Sequence, residues 1–415
     1  MTGAEVGGES DGQPAAERLA RATLTYLAEP ADLRLGALVA RIGAVATVGA
    51  IRLGRLPDVT GGDGIGTDGG AAARTGSARS GAARVAMERA LERWRTRLDE
   101  VPTADDLVRF AERGVRLVCP GDPEWPSTLG DLGHAQPYAL WLRGNADLRF
   151  SCLRSVAVVG SRAATAYGSY VASEIASSLA ARRWTIVSGA AYGVDAAAHR
   201  GALGAGAPTV AVLACGVDQP YPAGHKNLLD AIAADGVVIS EWPPGRNATR
   251  LRFLVRNRVI AALASGTLVV EAGERSGALN TARHARDLNR TLMAVPGPVT
   301  SQQSAGCHRI IRDWQATLIT SAADVLDMVG GLGEDNDGGA GGDAGSGRKP
   351  VLPRDALDLE SATVLDALPM RGGIGAAVVA KRAGLGLGTV VRCLGVLAAG
   401  GFAERRAGGW RARPV

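Results

Sequence analysis

From residue 155 onward, short β-branched runs alternate with stretches of helical period. The runs are SVAVVG (155–160), WTIVSG (184–189), TVAVLA (209–214), VVISEW (237–242), TLVVEA (267–272) and TLMAVP (291–296). Near-continuous apolar strands separated by helices are what a parallel sheet covered on both faces requires, because such strands bury both sides. The pattern predicts an α/β core over 114–329, a doubly wound and mainly parallel sheet closed by SAADVLDMV (321–329).

On either side the pattern changes. Before the core, AAERLARATLTYLA, LRLGALVARIGAVATVGAIRL, VAMERALERWRTRL and ADDLVRFAERG repeat apolar residues every three or four positions, which predicts a helical N-terminal domain over 1–113. A Gly/Ala/Ser/Thr-rich stretch at 60–83 interrupts it and reads as a disordered surface insertion. VRLVCPGDPEWPSTLGDL (115–132) and YALWLRGN (138–145) read as a strand, a turn-rich segment and a second strand. After the core, 330–356 is a Gly/Asp linker with nothing to bury. Residues 357–415 form three short apolar helices and a hairpin, the outline of a winged helix-turn-helix module, which could read DNA or serve as a protein-interaction module.

Composition narrows the class. Apolar residues make up 46% of the 415, enough for a real core and incompatible with wholesale disorder. The most apolar stretch, VIAALASGTLVVEA (259–272), is interrupted by Ser265, Gly266, Thr267 and Glu271, so no membrane span is predicted. The first thirteen residues are acidic and polar, unlike a signal peptide, and a cytoplasmic location is expected. The five cysteines are scattered without a CxxC pair, which supports neither a disulfide framework nor a thiolate zinc site. Net charge is +5, and all but Lys226, Lys349 and Lys381 of the 46 basic residues are arginine. Inflated Ala and Gly accompany that excess, so it reads as genomic base composition.

Chemistry concentrates at strand ends, where an open α/β sheet binds its ligands. Gly160-Ser161-Arg162 follows the first core strand, offering a close backbone approach, a hydroxyl and a guanidinium fork for phosphate. GSRAATAYG lacks G-x-G-x-x-G spacing, and Ser188-Gly189 stands where a ribose-binding acid belongs, so NAD binding is not expected. Asp195 reads as a helix cap rather than a base, and His199 as a structural histidine rather than a metal ligand. Tyr221-Pro222 shapes the loop after the third core strand. RNATRLRFLVRNR (246–258) packs five arginines and no acid around Phe253, cations for phosphates beside an aromatic platform for a base. Ser276-Gly277 opens a later helix as a second amide-rich anion seat. No Walker A sequence, G-x-S-x-G elbow or His/Asp/Glu metal cluster occurs, so neither a cofactor nor a metal is expected.

Taken in order, VAVVGSRAATAYG, IVSGAAYGVDAAAHRGAL, AVLACGVDQPYPAGHKNLL, ISEWPPG, FLVRNRVIAALA, LVVEAGERSGALNTARHA and AVPGPVTSQQSAGCHRIIR resemble the DNA-processing protein A family (DprA, also called Smf) over roughly 115–329. The resemblance implies a Rossmann-like core, with a sterile-alpha-motif-like front domain and a winged-helix extension. It further implies a non-catalytic protein that shields incoming single-stranded DNA in natural transformation, forms a homodimer and helps load the RecA recombinase. The family's pocket falls on Arg162, Arg250, Phe253, Arg256 and Asn257. Two departures are visible: Cys307-His308 replaces the usual Thr-Asn, and Trp314 interrupts the usual Gly-Ala ending.

The predicted site therefore comprises Gly160, Ser161, Arg162, Ser188, Gly189, Arg250, Phe253, Arg256, Asn257, Arg258, Ser276 and Gly277. Arg162, Arg250, Arg256 and Arg258 are expected on phosphates, with the amides of 160–162, 189–190 and 276–277 assisting. Two rival readings stand beside it. One is a Rossmann-like nucleoside-monophosphate hydrolase, although EAGERSGALNT replaces that group's P-G-G-x-G-T loop. The other is an interaction scaffold acting through the tail.

Overall fold

The structure, a computed structural model, describes residues 15–55, 72–330, 359–369, 373–399, 402–406 and 409–413. The described residues up to 330 form one compact unit and those from 359 onward a second. The expected linker, apart from Gly330, and residues 60–71 of the expected insertion lie outside the described residues.

In the first unit, helices α1 (Ala15–Leu27), α2 (Leu33–Ile42), α3 (Ala44–Leu53), α4 (Ala72–Arg95) and α5 (Ala104–Glu112) precede the sheet. Two expectations change here. The apolar run 33–53 is two helices meeting at 115°, because Gly43 turns the chain at φ +79°, where a side chain would be strained. Residues 72–83, expected in the disordered insertion, instead begin α4, consistent with the high helix propensity of their alanines. Among the described residues no single helix is long and apolar enough to cross a membrane.

The sheet contains β1 (Val115–Val118), β2 (Leu140–Arg143), β3 (Ser155–Val159), β4 (Thr185–Ser188), β5 (Thr209–Leu213), β6 (Val237–Ser240), β7 (Gly266–Val269), β8 (Thr291–Ala294) and β9 (Thr317–Leu318). Short α6 (Leu148–Leu153) follows β2, and α7 (Ala166–Ala180), α8 (Val194–Gly204), α9 (Lys226–Asp235), α10 (Arg250–Leu263), α11 (Ala278–Asp287), α12 (Ala305–Trp314) and α13 (Ala322–Val329) complete the layers. The spatial order is β1-β2-β6-β5-β4-β3-β7-β8-β9. Pairings from β6 through β9 are parallel, while β1–β2 and β2–β6 are antiparallel. This is the Rossmann-like α/β arrangement the apolar strands predict.

Separate cores occupy the two faces of the sheet. Val159, Val187, Val212, Ile239 and Val269 pack under α10 and α11, whereas Val156, Val158, Ile186 and Leu268 pack under α7 and α8. The chain winds from β3 towards β6 in one direction and resumes at β7 on the other side of β3. That reversal opens a crevice beyond the carboxyl ends of β3 and β7. In the second unit, α14 (Leu359–Ala367), α15 (Ala376–Ala383) and α16 (Leu387–Ala399) enclose Val364, Val379, Val390, Leu394 and Leu397, with an antiparallel hairpin of β10 (Ala403–Arg406) and β11 (Gly409–Ala412).

Candidate nucleic-acid interface

A cleft of about 820 Å³ occupies the crevice between the β3 and β7 loops and the start of α10. Gly160, Ser161 and Arg162 line it from one side, Ser276 and Gly277 from the other, and Arg250, Phe253, Arg256 and Asn257 from α10.

The two loops are joined by one buried carboxylate. Glu271 accepts from the Thr165 amide at 2.9 Å and the Thr165 hydroxyl at 2.6 Å, while its own carbonyl accepts from the Ser161 amide at 2.7 Å. The Ser161 amide is therefore engaged within the protein and does not face an anion, contrary to expectation. Thr165 also caps α7, accepting from the Gly168 amide at 3.2 Å. A Cβ at Gly168 would collide with the Glu271 carboxylate, so the glycine is what lets helix and carboxylate approach.

Three predicted residues are not in the cleft. Ser188 is fully buried and donates to the Val158 carbonyl at 2.6 Å. The Gly189 amide donates to Asp195 at 3.2 Å. Ser188 ends β4 and Gly189 follows it, and the segment beyond reaches the cleft only through Ala191 and Asp195. Arg258 is only 4% exposed; its guanidinium grips both Glu241 oxygens at 2.6 Å and the Ala135 carbonyl at 2.8 Å. It is a buried ion pair and not a phosphate ligand.

The arginine run thus splits by helical phase. Arg250, Phe253, Leu254 and Asn257, three or four residues apart, face the cleft. Arg252 points elsewhere and meets Glu29 at 2.6 and 3.0 Å, and Arg246 pairs with Glu100. The run is single-signed in sequence, but distant segments supply its acids. Arg256 lines the cleft yet is 4% exposed, bonded to the Gly189 and Val212 carbonyls and to the Asn257 side chain. Burial lowers it to about 10 and raises the neighbouring Asp195, whose carboxylate accepts the Gly189 and Ala191 amides. Asp195 lies in the first turn of α8, and Gly193 holds the cap position expected for it. Asn257 donates to the Gly277 carbonyl at 3.3 Å and to Asn280 at 3.2 Å.

What the cleft presents is an aromatic shelf overlain by one cation and flanked by others that, among the described residues, have no carboxylate partner. Phe253 is half-buried, with the Arg162 Cζ 4.5 Å and the Arg256 Cζ 5.9 Å from its ring centroid. Tyr221 meets it at 5.3 Å between centroids and 47° between planes. Arg162, Arg250 and Arg275 are exposed, and among the described residues none is paired with a carboxylate. Tyr221 and Arg275 are the additions sequence reasoning missed. Tyr221 was legible only as a loop-shaping residue, whereas Arg275 stands beside the flagged Ser276-Gly277 and could have been read with it.

His199 bonds Thr209 at 2.8 Å in full burial, which drives it down to about 3, so its ring is neutral. Among the described residues no group of three metal-ligating side chains occurs.

Comparison with known proteins places the chain in a family. The family model of DNA recombination-mediator protein A matches residues 116–330. A Mycobacterium tuberculosis (strain H37Rv) relative named for DNA processing protein DprA is 42% identical over 401 residues, covering 94% of this chain and 93% of its own. The DNA processing protein DprA of Streptococcus pneumoniae is 41% identical over 243 residues, 58% of this chain and 80% of that protein. The X-ray structure of the S. pneumoniae protein aligns with a TM-score of 0.52 at 35% identity, covering 58% of this chain and 82% of that one. This chain belongs to the DNA-processing protein A (DprA/Smf) family, proteins that act on DNA in recombination.

Proposed function

We propose that the cleft holds single-stranded DNA without altering it, and that the protein shields the strand and assists its transfer to the RecA recombinase during recombination or DNA uptake. The observation that carries this reading is Phe253, a half-buried ring in a cleft whose exposed guanidiniums, Arg162, Arg250 and Arg275, have no carboxylate partner among the described residues. Cations hold the backbone and a ring takes a base face, a combination that tolerates any sequence. A duplex hides its base faces, so the same cleft favours unpaired strands. Recombination-mediator family membership supports the same assignment. On this reading the protein works in the cytoplasm as a homodimer and is not an enzyme. The tail, three helices and a hairpin, is a winged-helix module whose partner is DNA or protein.

Titration of the full chain with fluorescent single- and double-stranded oligonucleotides at low and moderate salt tests the reading. Preference for the single strand, with a salt slope that falls when Arg162 or Arg250 is replaced by Gln, is expected. Equal affinity for duplex, or slopes unaffected by either substitution, would refute it. Release of free base from nucleoside monophosphates would instead favour the hydrolase.

A further inference from the structure

The helix that begins at the cleft carries a second cationic cluster that the cleft does not use. Ala278, Asn280 and Thr281 of α11 line the cleft. Further along, the Arg286 Cζ lies 4.7 Å from the Trp314 ring centroid and the Arg309 Cζ lies 5.7 Å from it. Arg283, one turn before Arg286, is exposed. Trp314 ends α12 and packs half-buried against the core, which fixes the ring. A guanidinium resting on an indole keeps its charge while losing freedom, so the ring organises cations.

Nearby acids do not cancel this charge. Asp313 is held by Arg312 at 2.7 Å, and Asp287 stands 3.9 Å from Arg286, at the outer limit of ion pairing. Among the described residues Arg283 and Arg309 have no carboxylate within ion-pair distance, although Asp313 also feels the Arg309 charge. The cluster is therefore net cationic, in line with a cleft that is cationic too.

Spacing connects the two. Arg283 and Arg286 follow Asn280 by three and six residues, about 4.5 and 9 Å along the axis at 1.5 Å per residue. Successive phosphates on one strand of a stacked helix rise about 3.4 Å each along the axis. At 3.6 residues per turn Arg283 and Arg286 also sit about 60° and 120° around α11 from Asn280, so a strand that leaves the cleft and winds over the exposed side of α11 brings its next few phosphates within reach of both.

We propose that Arg283, Arg286 and Arg309, organised by Trp314, form a second contact for the phosphodiesters adjoining the nucleotides held in the cleft. The proposal rests on the cleft binding single-stranded DNA, and its test separates the two. Full-length wild type, Arg283→Gln/Arg286→Gln and Phe253→Ala are titrated with oligothymidylates of about 4 and about 16 nucleotides, the span of single-strand site sizes. Both substituted arginines are exposed, so the double variant keeps its fold. It is expected to bind the short oligomer like wild type, to bind the long one more weakly, and to show a log–log salt slope shallower by about 1.4, two contacts at about 0.7 each. An unchanged affinity and slope for the long oligomer would overturn the proposal and leave the cluster to another partner, such as an acidic protein surface. Phe253→Ala reports on the cleft alone: weaker binding at both lengths upholds it, and no change at either length refutes the cleft whatever the double variant does.

Discussion

The Arg162 guanidinium lies over the Phe253 ring, 4.5 Å from its centroid, joining the loop after β3 to the helix after β6. In this arrangement the cation covers the surface on which a base would stack. Under the proposed function, a bound strand would offer both groups better partners, phosphate for the guanidinium and a base for the ring. Phe253→Ala should therefore cost about 1–3 kcal/mol of binding. Arg162→Gln should weaken binding and flatten the salt slope by about 0.7. Because the residues touch, the double variant should fall short of the sum, with a coupling of at least about 0.5 kcal/mol in a double-mutant cycle read by fluorescence anisotropy. Strict additivity would show that the contact has no part in binding.

Arg258 gives the opposite expectation. Removing it leaves the Glu241 charge, 4% exposed, without its partner. Arg258→Ala should lose about 3–5 kcal/mol of stability in denaturant titration while the folded fraction binds DNA unchanged. Replacing both members, Arg258→Met with Glu241→Leu, should recover most of that loss.

Glu29 ties the front helices to α10. Burial alone would raise its carboxyl, but hydrogen bonds from Arg252 and Trp242 outweigh it and hold the group below its ordinary 4.5. A depressed folded value stabilises above the unfolded one and is lost as pH falls through the folded value. Wild type should therefore exceed Glu29→Gln in stability at neutral pH, and the gap should close on acidification below 4.5. Thermal melts of both proteins between pH 7 and pH 3 provide the check.

His199 is the second source of acid sensitivity. Its folded value of about 3 lies under the unfolded 6.5, so within that window the unfolded chain binds the extra proton. Stability should fall by about 1.4 kcal/mol per pH unit as pH drops through the window, and His199→Gln should flatten that slope. An identical pH profile for the two proteins would mean that the buried ring titrates normally.

The core strands were readable because parallel strands bury both faces and leave an unbroken apolar signature. Gly160-Ser161-Arg162 and Ser276-Gly277 were readable because ligand loops follow strand ends. Arg246, Arg252 and Arg258 misled for a physical reason: a local window shows the sign of a run, but Glu100, Glu29 and Glu241 reach it from other parts of the chain. Ser188 and Gly189 misled because a strand end gives no hint that the Val158 carbonyl and Asp195 take up its hydroxyl and amide. Tyr221 carries no local pattern that separates a ring on a shelf from a ring shaping a loop. The bend at Gly43 was hidden inside an apolar run whose period hardly changes across it.

Glu271 grips the loop of Arg162 through Thr165 while belonging to the segment that leads to Ser276. The two sides of the crevice consequently form a single jaw, anchored at its root. Under the proposed function, accommodation of purines and pyrimidines of unequal size would fall to the opposing side, where Phe253 and Tyr221 meet at a tilt of 47°. On that same proposal, indifference to base identity would come from a fixed anvil for the backbone facing a tilted rest for the ring.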